Sequence, residues 1–232
     1  MIYITGDTHG SIDIRKLNIK NFPEQRNMTK SDYVIIAGDF GVIWDNSKEQ
    51  EYYLKWLDNK NFTTLFIDGN HENFDILNTY PVTEWNGGKV HQINDSIYHL
   101  MRGQVFTIDD QKIFTFGGAE SIDKHHRKEF ISWWRQEIPD LEEFNEGMTN
   151  LQRHNMNVDI IISHSAPKEI ILQLNLDEEK INDPTSTMLN QFKEVVSFKH
   201  WYCGHFHTNQ TIDKFTVLYK NIVGINKNLE VD

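Results

Sequence analysis

The stretch Ile2-Tyr3-Ile4-Thr5-Gly6-Asp7-Thr8-His9-Gly10, or IYITGDTHG, sets an apolar run of strand length directly against a glycine-bounded polar loop. Ile2–Thr5 reads as a buried strand, and the loop after it offers a carboxylate and an imidazole two residues apart. The arrangement recurs. Tyr33–Ala37 runs into Gly38-Asp39-Phe40-Gly41, and Thr63–Ile67 is followed by Gly69-Asn70-His71-Glu72. Between the second and third strands, Ser47–Asp58 reads as a helix, with Ser47 and Gln50 at capping-box spacing. Strand, helix and strand in this order imply an α/β fold, with a parallel sheet against which helices pack.

Beyond this point the pattern shortens. Ser96–Met101, Gln104–Ile108 and Lys112–Phe116 read as short strands, the last two joined in a tight hairpin across Asp109-Asp110. Asp140 and Glu143 cap a helix running towards Asn155, whose acidic start reads as a solvated face. Val158–Ser163 returns to a buried strand, Thr185–Val196 to a helix and Lys199–Cys203 to a strand. Thr208–Ile212 and Thr216–Lys220 form a closing antiparallel pair. Two mixed β-sheets flanked by helices accommodate this order. No repeat, low-complexity tract or Pro/Gly/Ser-rich linker interrupts it, so one domain is expected over residues 1–232.

The chain has 232 residues, 38% of them hydrophobic, and a formal net charge of −11. No apolar run approaches the roughly 20 residues of a membrane span, and the polar motif at residue 6 leaves no room for a signal-peptide core. The acidic balance argues against strong binding to duplex nucleic acid. A phosphorylated substrate stays compatible, because bound metal ions dominate the local charge of a site. The single cysteine excludes an intrachain disulfide and suits a reducing, cytoplasmic setting.

Two further strands end in the same chemistry. Ser163-His164 follows one, and Gly204-His205-Phe206-His207 follows the other. Ligands of open α/β sheets bind outside the carboxyl ends of strands, so the five loops can converge on one crevice. Setting His71 aside, they bring two carboxylates, one amide carbonyl and four imidazoles. That donor set suits Mn²⁺, Fe, Zn²⁺ or Ni²⁺. Seven ligands exceed what one ion takes while keeping room for water and substrate, whereas two ions about 3.5–4 Å apart and sharing a carboxylate use them all.

In order, GDTHG, GDFG, GNHE, SH and GHFH resemble the signature of the metallophosphoesterase, or calcineurin-like phosphoesterase, superfamily. The resemblance runs from residue 6 to residue 207. It implies a four-layer α-β-β-α sandwich with a dinuclear metal site between loops at one sheet edge. Carried over residue by residue, Asp7, His9 and His207 hold one metal and Asp39 bridges to the second, which Asn70, His164 and His205 complete. Two divalent ions are implied, Mn²⁺ first among the candidates. His71 matches the family's non-ligand histidine at the leaving group. The implied reaction is phosphoester hydrolysis, in which metal-bridged hydroxide attacks phosphorus while His71 assists the departing oxygen.

Relatives acting on phosphoproteins continue the second block as GDxVDRG, whose arginine grips phosphate. Here Phe40-Gly41-Val42-Ile43-Trp44-Asp45 lacks that arginine, leaving Arg102, Arg127 or Arg135 to replace it. A phosphodiester or small nucleotide is therefore the expected substrate. A phosphomonoesterase, including a protein phosphatase, and a non-catalytic metal-binding module of the same fold are the alternatives. The stretch from Arg102 to Gly118 resembles the lariat-debranching branch. That branch, however, carries a cysteine where this chain has His9, so its substrate is not transferred. Arg127, beyond the loop Gly117–Ser121, is the first candidate for substrate contact, with Trp133-Trp134 a weaker one. His91, His99, His154 and His200 read as packing or surface residues. Cys203, His205 and His207 would share one side of a straight strand. Gly204 can bend the chain between them, leaving Cys203 as a small buried hydrophobe.

Overall fold

The computed structural model describes residues 1–174 and 183–225; residues 175–182 and 226–232 of the expected domain lie outside them. One sheet has the order β13-β1-β2-β3-β6-β5-β4. Its strands are β1 (Ile2–Thr5), β2 (Tyr33–Ile36), β3 (Thr63–Phe66), β4 (Val82–Trp85), β5 (Gly88–Asn94), β6 (Ile97–Leu100) and β13 (Ile222–Ile225). The other has the order β11-β12-β10-β9-β8-β7. It is built from β7 (Gln104–Ile108), β8 (Gln111–Phe116), β9 (Ile160–Ser163), β10 (His200–Cys203), β11 (Gln210–Ile212) and β12 (Phe215–Val217). Both sheets are mixed. β1, β2, β3 and β6 run parallel in the first and β8, β9, β10 and β12 in the second, with antiparallel strands outside them.

Alternation along the central strands explains the layering. Ile35 faces a core between the sheets with Ile4, Leu65, Ile162 and Tyr202. Its neighbours Val34 and Ile36 point outward, under α1 (Lys48–Asp58), into a second core with Leu57 and Phe66. On the far side, Trp201 and Cys203 join Phe114, Leu151 and Phe192. The last two come from α3 (Leu141–Arg153) and α5 (Pro184–Val195), which follow the shorter helices α2 (Phe74–Leu77) and α4 (Lys168–Gln173) respectively. Helix, sheet, sheet and helix form four layers, as the resemblance implied. Strands buried on both faces need apolar residues at every position, so their runs are unbroken. Each large side chain so buried contributes about 1.5–3 kcal/mol.

Several local expectations hold in detail. Asp109 and Asp110 both adopt left-handed backbone (φ 50° and 65°), as a two-residue hairpin between twisted strands requires. α3 carries a reciprocal capping box between Asp140 and Glu143. The box expected at α1 is half formed. Ser47 accepts from the Gln50 amide, but the Gln50 side chain instead takes the amides of Trp44, Asp45 and Asn46 at 2.8, 3.2 and 3.0 Å. The hairpin of β4 and β5 and the edge strand β13 are additions to the sequence reading.

The acidic start of α3 is not simply solvated. Glu143 accepts from Arg102 Nη1 at 2.8 Å, and Arg102 also grips Asp68 through Nε and Nη2 at 2.8 and 2.6 Å. Burial opposes the charge on Asp68, but Arg102 and His99 outweigh it and hold its carboxyl far below the usual range. Arg102→Met leaves that carboxylate buried without its partner. A loss of about 3–5 kcal/mol is expected in urea unfolding, and a loss under 1 kcal/mol would show that the pair does not brace the sheet.

Candidate metal centre

The loops after β1, β2, β3, β9 and β10 meet at one end of the two sheets. They are joined main chain to main chain. Thr8 and His9 donate to Asp39 O at 3.0 and 2.8 Å, and Gly204 donates to His164 O at 3.0 Å. Four of the expected ligands adopt left-handed backbone: His9 (φ 43°), Asp39 (46°), His205 (67°) and His207 (51°). Such residues cost of order 1–3 kcal/mol each and concentrate where function demands them. They also explain why strand alternation fails in WYCGHFH, since the chain leaves β-geometry at Gly204. A Cβ on Gly204 would lie 2.2 Å from Asp7 Oδ1, so only glycine lets this loop close over that carboxylate.

Asp39 sits at the middle of the cluster. Its Oδ2 is 3.3 Å from His9 Nε2, and its Oδ1 is 3.3 Å from His164 Nε2. Oδ1 also accepts the His71 amide at 2.7 Å. Asn70 Oδ1 lies 3.2 Å from the same His164 nitrogen. On the other flank, the ligand atoms of Asp7, His9 and His207 lie within 4.8 Å of one another. Asp7 Oδ1 accepts the His205 amide at 2.9 Å. Its Oδ2 is buried with no hydrogen bond, although His207 Nε2 stands 3.1 Å away. His205 joins through its ring, 4.9 Å from that of His164. A buried carboxylate oxygen left without a donor, among imidazoles turned towards it, fits a site for cations.

Second partners fix those imidazoles. His9 Nδ1 is 3.1 Å from Asp13 Oδ2, and His164 Nδ1 donates to Ala37 O at 2.8 Å, so both rings present Nε2 to the cluster. Asn70 is oriented likewise. Its Nδ2 donates to Ser121 Oγ at 3.1 Å, and the Ser121 hydroxyl and amide donate to Glu137 at 2.8 and 2.7 Å. The amide oxygen of Asn70 is thereby left facing the cluster. Lys16 binds the carbonyls of Gly6, Asp7 and Tyr219, and Glu72 accepts the amides of Phe40 and Gly41. Asp13, Lys16, Ser121 and Glu137 had no role in the sequence reading.

Electrostatics follow from the crowding of carboxylates. Burial opposes charge on Asp39, yet His164, His9 and His71 hold it well below the usual carboxylate range. Burial also works against His164, but Asp39 and Asp7 dominate and its pKa is pushed up to about 10. His9 is raised for the same reason. His71 behaves differently. Burial lowers its pKa, and Arg127 adds to this against the pull of Asp39.

Arg127 reaches the centre, with Nη1 and Nη2 each 3.2 Å from a ring nitrogen of His71. The other candidate arginines do not. Arg102 is spent on Asp68 and Glu143, and Arg135 is exposed and paired with Glu129 at 2.6 Å. Trp134 is a packing residue, fully buried with Nε1 donating to Asp75 at 2.8 Å. His91 and His99 pack together inside the fold, with Nδ1 atoms 2.9 Å apart. Cys203 is buried among apolar residues, and burial pushes its thiol pKa up, away from the thiolate a metal needs.

A family model described as "Metallophos: Calcineurin-like phosphoesterase" matches residues 1–209. The chain belongs to the calcineurin-like phosphoesterase family. Among curated proteins, this calcineurin-like phosphoesterase is similar to a lariat debranching enzyme from Schizosaccharomyces pombe. The two are 23% identical over 236 residues, covering 90% of this chain and 48% of the relative. The chain thus spans about half the length of the curated relative it matches. Two solved structures are also similar. One is a candidate 5′-nucleotidase from Staphylococcus aureus in complex with alpha-ketoglutarate (TM-score 0.47, 14% identity, 100% of this chain and 52% of that one). The other is a phosphopantetheinyl hydrolase from Mycobacterium tuberculosis (TM-score 0.44, 13% identity, 94% and 87%). No helix among the described residues is long and apolar enough to cross a membrane.

In this calcineurin-like phosphoesterase, Ser121→Ala frees the Asn70 amide to turn. Affinity for Mn²⁺, read by calorimetry on metal-free protein, is expected to fall about 10–100-fold. Glu137→Gln keeps an acceptor for Ser121 and loses less. An unchanged affinity in Ser121→Ala removes this chain of bonds from metal binding. A second expectation concerns pH. The proton held on His164 up to about pH 10 must leave before its Nε2 can take an ion. Mn²⁺ affinity therefore strengthens by up to about tenfold per pH unit between pH 6.5 and 9. A flat profile over that window would show that His164 gives up no proton to the metal.

Proposed function

We propose that this chain acts as a single-domain, dinuclear-metal-dependent phosphoester hydrolase whose substrate is a phosphodiester or a small nucleotide. The observation that carries the reading is Asp39, whose two oxygens face histidines of opposite flanks at 3.3 Å each. A bridging carboxylate needs that disposition. Asp7, His9 and His207 hold one ion, Asn70, His164 and His205 hold the other, and Asp39 serves both. When bound, two divalent ions, Mn²⁺ first among the candidates, supply an activated water and Lewis-acid contacts for phosphoryl oxygens.

The remaining roles belong to the chain itself. His71 assists the leaving oxygen through a hydrogen bond from its neutral ring, since burial and Arg127 lower its pKa. Its ligand atoms also lie within 4.8 Å of those of His9 and Asp39. Against a ligand role stands Arg127, whose guanidinium faces both of its ring nitrogens. A fixed cation there disfavours a second one on the same ring. Arg127 instead orients the phosphate and supplies the positive charge that the missing GDxVDRG arginine gives elsewhere. The absence of the GDxVDRG arginine from the second block supports a phosphodiester or small nucleotide as the first substrate to try. A single, buried cysteine supports a cytoplasmic location.

The test is hydrolysis of mono-, di- and cyclic nucleotides with each candidate metal. Turnover of a diester or nucleotide is expected. Failure on every ester by metal-loaded protein would favour a non-catalytic module. His71→Ala is expected to retain metal, by elemental analysis, and lose about 10²–10⁴ in kcat. Full turnover with metal retained would remove His71 from the reaction.

A further inference from the structure

A cleft of about 180 Å³ opens beside the metal centre, between the loop after β1 and the segment joining β2 to α1. His9 lines it together with Ile12, Trp44 and Tyr53, and the exposed Asp45 and Glu49 line it as well. Among the lining residues there is no lysine or arginine.

The cleft is built rather than incidental. The side-chain oxygen of Gln50 accepts three successive amides, from Trp44 to Asn46, and Asn73 Nδ2 donates to Trp44 O at 2.6 Å. The Trp44 ring abuts that of buried Trp134 edge to face, 5.4 Å between centroids. One oxygen of Asp45 takes the Ser47 amide at 3.0 Å, which fixes the carboxylate and leaves its other oxygen for a ligand. Charge is divided across the centre. On the His71 side stands Arg127, and on the His9 side lies this aromatic, acidic cleft.

Resting on the phosphoesterase reading, we propose that the cleft holds the organic part of the substrate and selects a neutral or positively charged head that packs on an aromatic face. Two sources share that chemistry, a nucleoside with an exocyclic amine and an ammonium-bearing alcohol. Aromatic faces attract flat rings and cations, and exposed carboxylates accept N–H and O–H donors. The same carboxylates repel a head bearing further phosphate or carboxylate groups. The volume suits one ring system or a small ammonium head, being below the roughly 300–1,000 Å³ of drug-sized pockets.

The test uses the full chain. Adenosine and choline are titrated, each alone, into metal-free protein, and the Trp44 indole N–H is followed by NMR, assigned with Trp44→Phe. In parallel, kcat/KM is measured on Mn²⁺-loaded protein for adenosine 5′-monophosphate and phosphocholine against 3-phosphoglycerate. At least one head is expected to shift the Trp44 signal. Its ester is expected to exceed 3-phosphoglycerate at least tenfold. In Asp45→Lys/Glu49→Lys the head binds at least tenfold more weakly and the preference falls below one. Glu24→Lys/Glu194→Lys, the same charge change on exposed residues outside the cleft, keeps both. Adenosine binding alone assigns a nucleoside, and choline binding alone assigns an ammonium head. The proposal is overturned if neither head moves Trp44, if the cleft reversal leaves binding as in the wild type, or if the outside reversal lowers binding equally. Head binding without turnover of these monoesters, or of the diesters and cyclic nucleotides of the hydrolysis panel, would remove the phosphoesterase reading and leave the cleft assigned.

Discussion

Two carboxylates, Asp7 and Asp39, are buried where strands of both sheets end, and the architecture around them exists to make that tolerable. An unpaired buried charge costs far more than one side chain's packing provides. Compensation here comes from imidazoles and amides delivered by five separate loops. The loops reach only because β1, β2 and β3 are parallel in one sheet and β9 and β10 in the other, so their carboxyl ends share an edge. Left-handed backbone at His9, Asp39, His205 and His207 is the local cost of that convergence.

The same crowding explains what an ion would do for this chain. Asp39 and Asp7 push the pKa of His164 up to about 10, so this imidazole offsets part of their charge. Supporting groups then act at one remove. Asp13 and the Ala37 carbonyl set the rings of His9 and His164, and Ser121 with Glu137 sets the amide of Asn70. Ser121 and Glu137 also bracket the segment that carries Arg127 to His71. One bonded unit therefore positions both a candidate ligand and a candidate substrate contact.

Much of this was legible in the sequence because the signals were local. Central strands buried on both faces leave unbroken apolar runs such as Tyr33–Ile36, and each donor sits within a few residues of such a run. What escaped lacks such a signal. β4 alternates exposed and half-buried residues at a sheet edge, so Val82–Trp85 shows no apolar run, even though Asn86-Gly87 marks its turn. Lys16, Ser121 and Glu137 act on residues distant in the chain, through carbonyls and hydroxyls that no spacing encodes. The bend at Gly204, which the glycine itself signalled and which parts Cys203 from His205 and His207, follows the close approach of Gly204 to Asp7.

In the proposed centre, Asp39 joins two ions. Metal content per chain, measured by elemental analysis after loading with Mn²⁺ and desalting, tests it most directly in wild type and Asp39→Asn. Two ions are expected in the wild type and at most one in the variant, because the amide keeps one oxygen and turns an NH2 group towards the other flank. A wild type that holds one ion, or an Asp39→Asn variant that still holds two, would contradict it.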